Sequence, residues 1–193
     1  MSRLLPEERK KVQKPLLWIG LASIVMTFAG LTSGYVVSRS ALKADSAWLS
    51  FPLPQAFTVA TVLIALSSVT MIFAQRSARL GALENITRAL ALTLLLGLGF
   101  VVSQLLGWQN LLDRGLYFTG PESNTAISWV YVITFLHALH VLAGLIVLIF
   151  TLVKAVRKKY TADDYQGLSV AAIFWHFLGG LWLYLFLFLL FIR

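Results

Sequence analysis

Three histidines, His137, His140 and His176, stand inside long apolar runs of the chain. Imidazole is the side chain best suited to ligate a metal or haem, or to pass a proton near neutral pH. His137 and His140 are three apart and share one helical face. With His176 they suggest axial ligation of a haem or a small metal site. Two bis-histidine haems would need four imidazoles, and the chain has three; one haem remains open by this count. A metal site would need carboxylates or thiols to complete it. The surrounding runs hold no Asp or Glu, and the chain has no cysteine. The other reading is that neutral histidines hydrogen-bond between helices or to lipid headgroups. An ionisable group in hydrocarbon is costly enough to mark a role in either case.

Other chemistry is narrowed in the same way. Without cysteine there are no disulfides, no thiolate metal sites, no Cys-ligated iron–sulfur cluster and no Cys nucleophile. Proton-driven transporters usually carry intramembrane Asp or Glu relays and helices broken by Gly and Pro; neither feature is visible, nor is an inverted repeat. No P-loop, HExxH or Ser/His/Asp set occurs. What the runs do contain is packing chemistry. Gly30 and Gly34 have the GxxxG spacing, and Gly99, Ser103 and Gly107 repeat it. Small residues four apart let helices approach closely, within this chain or against a partner. Gln104 is an uncharged polar group deep in the third run and suits an interhelical hydrogen bond.

The elements that must hold these residues are membrane helices. Of 193 residues, 59% are hydrophobic and 12% charged, and mean hydropathy is +0.81. The apolar residues fall into five blocks, about 16–38, 56–74, 89–112, 127–153 and 170–192. At ~1.5 Å per residue each covers roughly the ~30 Å hydrocarbon core. None contains Asp, Glu, Lys or Arg, and all five prolines lie outside them apart from Pro15 at the edge of the first. Such helices satisfy their own backbone, as lipid demands. The chain thus reads as an all-α, multi-pass membrane protein with a polar tail over 1–15 and a five-helix domain over 16–193. The net charge of +8 reads as loop charge facing lipid headgroups rather than as a nucleic-acid surface. Twelve basic residues fall on the tail, the 2–3 link and the 4–5 link, and four on the other side. That split predicts the N-terminus inside and the C-terminus outside. Arg39 on one side, and Arg76 and Arg79 on the other, become candidate lipid contacts.

Two stretches carry a resemblance. SWVYVITFLHALHVLAG, residues 128–144, resembles the "HGLHV..G" helix of subunit III of haem–copper oxidases, and FWHFLGGLW, residues 174–182, resembles that family's terminal "YWHFVD..W" helix. Three softer matches follow in order: LASIVM and FAGLTSGY in the first block, SSVT with Ala74 in the second, and Gly99, Phe100, Gln104 and Trp108 in the third. The resemblance covers roughly residues 15–192. It implies a non-catalytic subunit of a terminal oxidase, the complex that reduces oxygen to water with electrons from cytochrome c or quinol. It implies haem and copper in the partner subunits and none here, packing against catalytic subunit I and subunit II within a bacterial inner-membrane complex or larger supercomplex, support of assembly and proton uptake, and phospholipid bound in a cleft of a two-plus-three-helix bundle. His137, His140, Trp175 and His176 then read as structural or lipid-contact residues.

Three departures qualify it. Ile24, Gly107 and Gly179 stand where the family usually has Glu, Glu and Asp, so the resemblance implies a member without those acids. They also admit a divergent member, associated with a nitric oxide reductase, and the residues alone still admit a haem-bearing, cytochrome b-like carrier using His137 or His140 with His176.

Overall fold

The computed structural model describes residues 6–44, 48–121, 123–160 and 164–192, side chains of 6–11 and 44 aside. Five helices follow one another: α1 (Pro6–Ala44), α2 (Gln55–Arg79), α3 (Leu83–Asp113), α4 (Thr125–Val156) and α5 (Gln166–Ile192). All five contain a stretch long and apolar enough to cross a membrane. Each runs past its apolar block. Hydrogen bonding within a helix does not stop where hydrocarbon stops, so the polar ends stay helical. The difference is largest in α1. Its described part runs from Pro6 and carries Pro15 in its interior. The basic stretch expected as a tail therefore continues the first helix. Its 39 residues extend well beyond a ~30 Å hydrocarbon core.

α2, α3, α4 and α5 close a ring in which each helix touches its two neighbours, and α1 lies outside it against α4 and α5 only. The α2–α3 pair shares the most extensive contact, while α1, α4 and α5 all touch one another, a grouping compatible with the two-plus-three division that the resemblance implies. The place of α1 follows from the α1–α2 link and from the stripe α1 buries. The link crosses the end of α5: Tyr35 of α1 meets Trp48 of the link edge-on at 5.1 Å and Phe188 of α5 at 5.2 Å. Among its described side chains α1 sinks Leu21, Phe28, Thr32 and Tyr35, a single stripe of one helical face. Val25, Met26, Val36 and Val37 stay exposed.

Three helix ends share one backbone device. After α2, α3 and α4 the chain turns through a left-handed residue, Gly81 (φ 69°), Gly115 (φ 73°) and Lys158 (φ 52°). The next amide then bonds back five residues, Ala82 to Ser77, Leu116 to Leu111 and Lys159 to Lys154. This Schellman arrangement satisfies carbonyls that a helix end leaves open. At the start of α4 the Asn124 side chain caps, accepting from the Ala126 amide at 2.9 Å.

Inside the ring there is no charge among the described residues; the core is aromatic and aliphatic, with Ser67, Thr93, Gln104, Thr134 and His137 among its polar members. Lipid is as apolar as leucine, so close packing and interhelical hydrogen bonds must hold such a bundle. One or two polar ties cross most interfaces: Thr70 to Thr93 between α2 and α3 at 2.7 Å, Trp108 to Thr134 between α3 and α4 at 3.0 Å, and Tyr184 to Thr32 between α5 and α1 at 3.2 Å.

Candidate functional site

The residues singled out by chemistry converge on two layers of the ring, each built around a tryptophan of α5. Trp175 and Trp182 are seven apart, so both project from one helical face into the bundle. Both are almost wholly enclosed. The Trp175 indole N–H donates to Ser67 Oγ of α2 at 3.0 Å. Its ring fills the space left by two glycines: a Cβ on Gly97 of α3 would stand 2.7 Å from Trp175 Cη2, and one on Gly144 of α4 3.2 Å from Cζ3. One side chain thus touches all three other helices of the ring. The Trp182 indole N–H donates to Thr61 Oγ1 of α2 at 2.9 Å. Its ring packs edge-on against Phe57 and Phe100 and, at 5.3 Å and a shallow angle, on the imidazole of His137.

His137 is fully buried. Besides Trp182 it meets Phe28 and Phe100 edge-on, so three aromatic rings from α1, α3 and α5 surround it. His140, half-buried, shares Phe28 with it at 5.6 Å and places Nδ1 2.7 Å from the Leu136 carbonyl. His176 is half-buried on α5. It stands six residues, about 9 Å along the helix axis, before Trp182, against which His137 lies. Among the described residues no group of three His, Cys, Asp or Glu is placed to hold a metal ion.

Gln104 is fully buried on α3. One turn before it Phe100 touches His137; one turn after it Trp108 bonds Thr134, which lies one turn before His137. Gln104 and His137 thus occupy the same depth on facing helices. Neither the amide of Gln104 nor either ring nitrogen of His137 has a hydrogen bond within the described chain. Buried polar groups in native proteins nearly always find a partner, and an amide N–H and an imidazole nitrogen are complementary. The Trp48 indole N–H and Asn110 Oδ1 are likewise buried without a partner among the described residues, so Gln104 and His137 are two of the places where hydrogen-bonding capacity remains.

The small residues divide. Gly34 abuts the Trp129 ring of α4, while a Cβ on Gly30 would meet nothing within 4 Å. On α3, Gly107 is covered by the ring of Phe57, Gly99 lies 3.4 Å from Leu63 by the same measure, and Ser103 is buried. The α3 stripe therefore packs inside the bundle, against α2. Gly97 and Gly144, which sequence spacing did not pick out, are packed about as closely as Gly34. A usable signal was present in the Trp175–Trp182 spacing, because two inward indoles seven apart require small or hydroxylated neighbours.

The arginines lie at the two ends of the bundle. Arg76 and Arg79 are exposed in the last turns of α2, and Arg39 is half-buried near the far end of α1. Beyond α4, Tyr160 is buried beside Asp164; burial raises its phenol above the usual value, the Asp164 charge adds to this, and a hydrogen bond with Thr151 opposes both.

The missing acids have physical replacements. Phe57 fills the space beside Gly107, Ser68 Oγ and Ile64 lie against Gly179, and Ile24 packs half-buried on the core.

The cytochrome c oxidase subunit III family matches residues 49–192. A probable cytochrome c oxidase subunit 3 of Mycobacterium tuberculosis is 36% identical over 182 residues, 92% of this chain and 86% of that protein. The cytochrome c oxidase subunit 3 of Corynebacterium diphtheriae is 30% identical, covering 90% of this chain and 84% of that one. Subunit 3 of the cytochrome bo(3) ubiquinol oxidase of Pseudomonas putida is 29% identical over 170 residues, 88% of this chain and 80% of that one. These likenesses favour the oxidase third subunit over both the reductase-associated and the cytochrome b-like readings. The chain belongs to the cytochrome c oxidase subunit III family.

Proposed function

We propose that this chain serves a respiratory haem–copper oxidase as its non-catalytic third subunit, in a complex that reduces oxygen to water with electrons from cytochrome c or quinol. It packs against the catalytic subunit I and, with subunit II, within a bacterial inner-membrane assembly or supercomplex. Haem and copper reside in those partners. This chain supports assembly and sustained proton uptake by the catalytic subunit, and holds membrane phospholipid. The basic end of the bundle, with the α2–α3 and α4–α5 links, faces the cytoplasm.

The observation that carries the reading is the near full-length likeness to third subunits of both a cytochrome c oxidase and a quinol oxidase. The interior is consistent with it. The tryptophan layers give α2 to α5 a solid core, so function falls to the outer surface, to the link-bearing ends and to what they touch. The test is purification of the intact complex from native membrane through a tag on this chain, followed by mass spectrometry and optical spectra. Haem- and copper-bearing subunits should co-purify. Isolation of the chain without them, or with a stoichiometric haem of its own, would refute the reading.

A further inference from the structure

At the basic end, a pocket of about 250 Å³ opens between α1, the end of α4 and the start of α5. Gln13 of α1, Lys154 of α4, Lys159, Tyr160 and Asp164 of the α4–α5 link, and Gln166 of α5 line it. Two lysines face one carboxylate and two amides there. The left-handed Lys158 makes this possible. Its Schellman turn folds Lys159 back over α4, with the Lys159 amide 3.1 Å from the Lys154 carbonyl. On the membrane side of the pocket, Leu16 of α1 and Val153 of α4 are exposed aliphatic side chains. Cations, donors and one carboxylate therefore sit where the apolar spans end, next to aliphatic surface of α1 and α4.

We propose that this pocket binds the phosphodiester headgroup of one membrane phospholipid, with the acyl chains running down between α1 and α4. Lys154 and Lys159 take the phosphate, since basic pockets between transmembrane helices on the cytoplasmic side suit anionic lipid heads. Asp164 and Gln166 accept from the polar substituent of the head, which selects heads with N–H or O–H donors, such as ethanolamine or glycerol, over choline. The proposal rests on the lipid-holding reading given above and names the site and head chemistry for it.

The test uses the complex purified through a tag on this chain, so it does not depend on which partners are present. Phospholipid is stripped stepwise, then restored from vesicles of phosphatidylethanolamine, phosphatidylglycerol or phosphatidylcholine, with a parallel arm in inorganic phosphate. Retained lipid is counted by mass spectrometry. In the Lys154→Gln/Lys159→Gln variant, retention of the last lipid should fall about tenfold or more, from the loss of two headgroup cations. An Arg76→Gln/Arg79→Gln control, whose arginines line no such pocket, should lose less. Equal retention in the double lysine variant and the unaltered complex overturns the proposal. So does displacement of the lipid by inorganic phosphate at matched concentration, which would mark a free-phosphate site. Should the double variant fail to assemble, Asp164→Asn decides. It should erase the preference for ethanolamine over choline heads, and an unchanged preference refutes the site. Co-purifying subunits without lipid retention would defeat this site alone, whereas lipid retention without haem subunits would defeat the oxidase reading alone.

Discussion

Replacing Gly97 by alanine tests the idea that glycine–tryptophan contacts hold the ring together. The added Cβ would lie 2.7 Å from Trp175 Cη2, 3.0 Å from Cζ2 and 2.9 Å from Leu145 Cδ2. Carbon atoms settle at ~3.5–4.0 Å, so the methyl falls roughly 1 Å short on two sides. Trp175 cannot retreat easily. Its N–H is held by Ser67, and its opposite edge faces Gly144, where even an imagined Cβ is only 3.2 Å away. Either α3 moves out or the Trp175–Ser67 bond breaks. Overpacking of this kind costs about 1–3 kcal/mol. Alanine's better helix propensity returns at most ~1 kcal/mol, a value measured in water. Gly99→Ala, two residues on, meets only Leu63 at 3.4 Å, and Gly30→Ala meets nothing within 4 Å; both should sit within about 0.5 kcal/mol of the parent or gain slightly. The assay is thermal unfolding of the tagged complex in mild detergent, with assembled yield measured alongside. Gly97→Ala should lower both relative to Gly99→Ala, and Trp175→Phe in the Gly97→Ala background should recover part of the loss. Equal stability of Gly97→Ala and Gly99→Ala would refute the reasoning.

The remaining expectations follow from single features. Lys158 holds φ 52° at a helix end, where a side chain costs roughly 1–2 kcal/mol; Lys158→Gly should raise thermal stability, and a decrease would count against the strain. Changing His137, His140 and His176 together to alanine should leave haem and copper per assembled complex unchanged, read by pyridine haemochrome and metal analysis; a stoichiometric haem loss would revive the b-type reading. Carbodiimide attacks protonated carboxyl groups, and of the acids within the helices Glu84 and Asp113 are exposed at the two ends of α3. Peptide mapping should find no adduct in mid-helix. Reporter fusions after Lys159 and at Arg193 should report cytoplasm and exterior respectively, and matching signals would reverse the orientation drawn from the basic residues.

The spans were legible because hydrocarbon imposes a length and excludes charge, and both constraints are written in composition. Their ends were not. Hydropathy falls at Gln75 or Lys154, but α2 and α4 continue to Arg79 and Val156, since solvated side chains do not stop backbone hydrogen bonding. The arrangement of helices was also out of reach. Which side of the ring α1 takes depends on how the link over Phe188 runs, and neither periodicity nor small-residue spacing encodes that.

The candidate site was half legible for a related reason. Spacing rules compare a residue with others on its own helix, so they select Gly30 with Gly34 although only Gly34 is covered. A tryptophan's complement lies on other helices, which is why Gly97 escaped notice and Gly144 entered only as the last residue of a family motif. The same geometry bears on the absent acids. At Gly107 a carboxyl-bearing side chain would have to displace the buried ring of Phe57, which also packs edge-on against Trp182 at 5.9 Å. Exchange of an acid for glycine at that place is therefore coupled to an aromatic on the facing helix and, through it, to the indole that lies on His137. Gly107→Glu alone should disrupt the layer, whereas Gly107→Glu with Phe57→Ala opens room for the side chain. If the single change assembled as well as the pair, Phe57 would not be the element that closes this position to an acid.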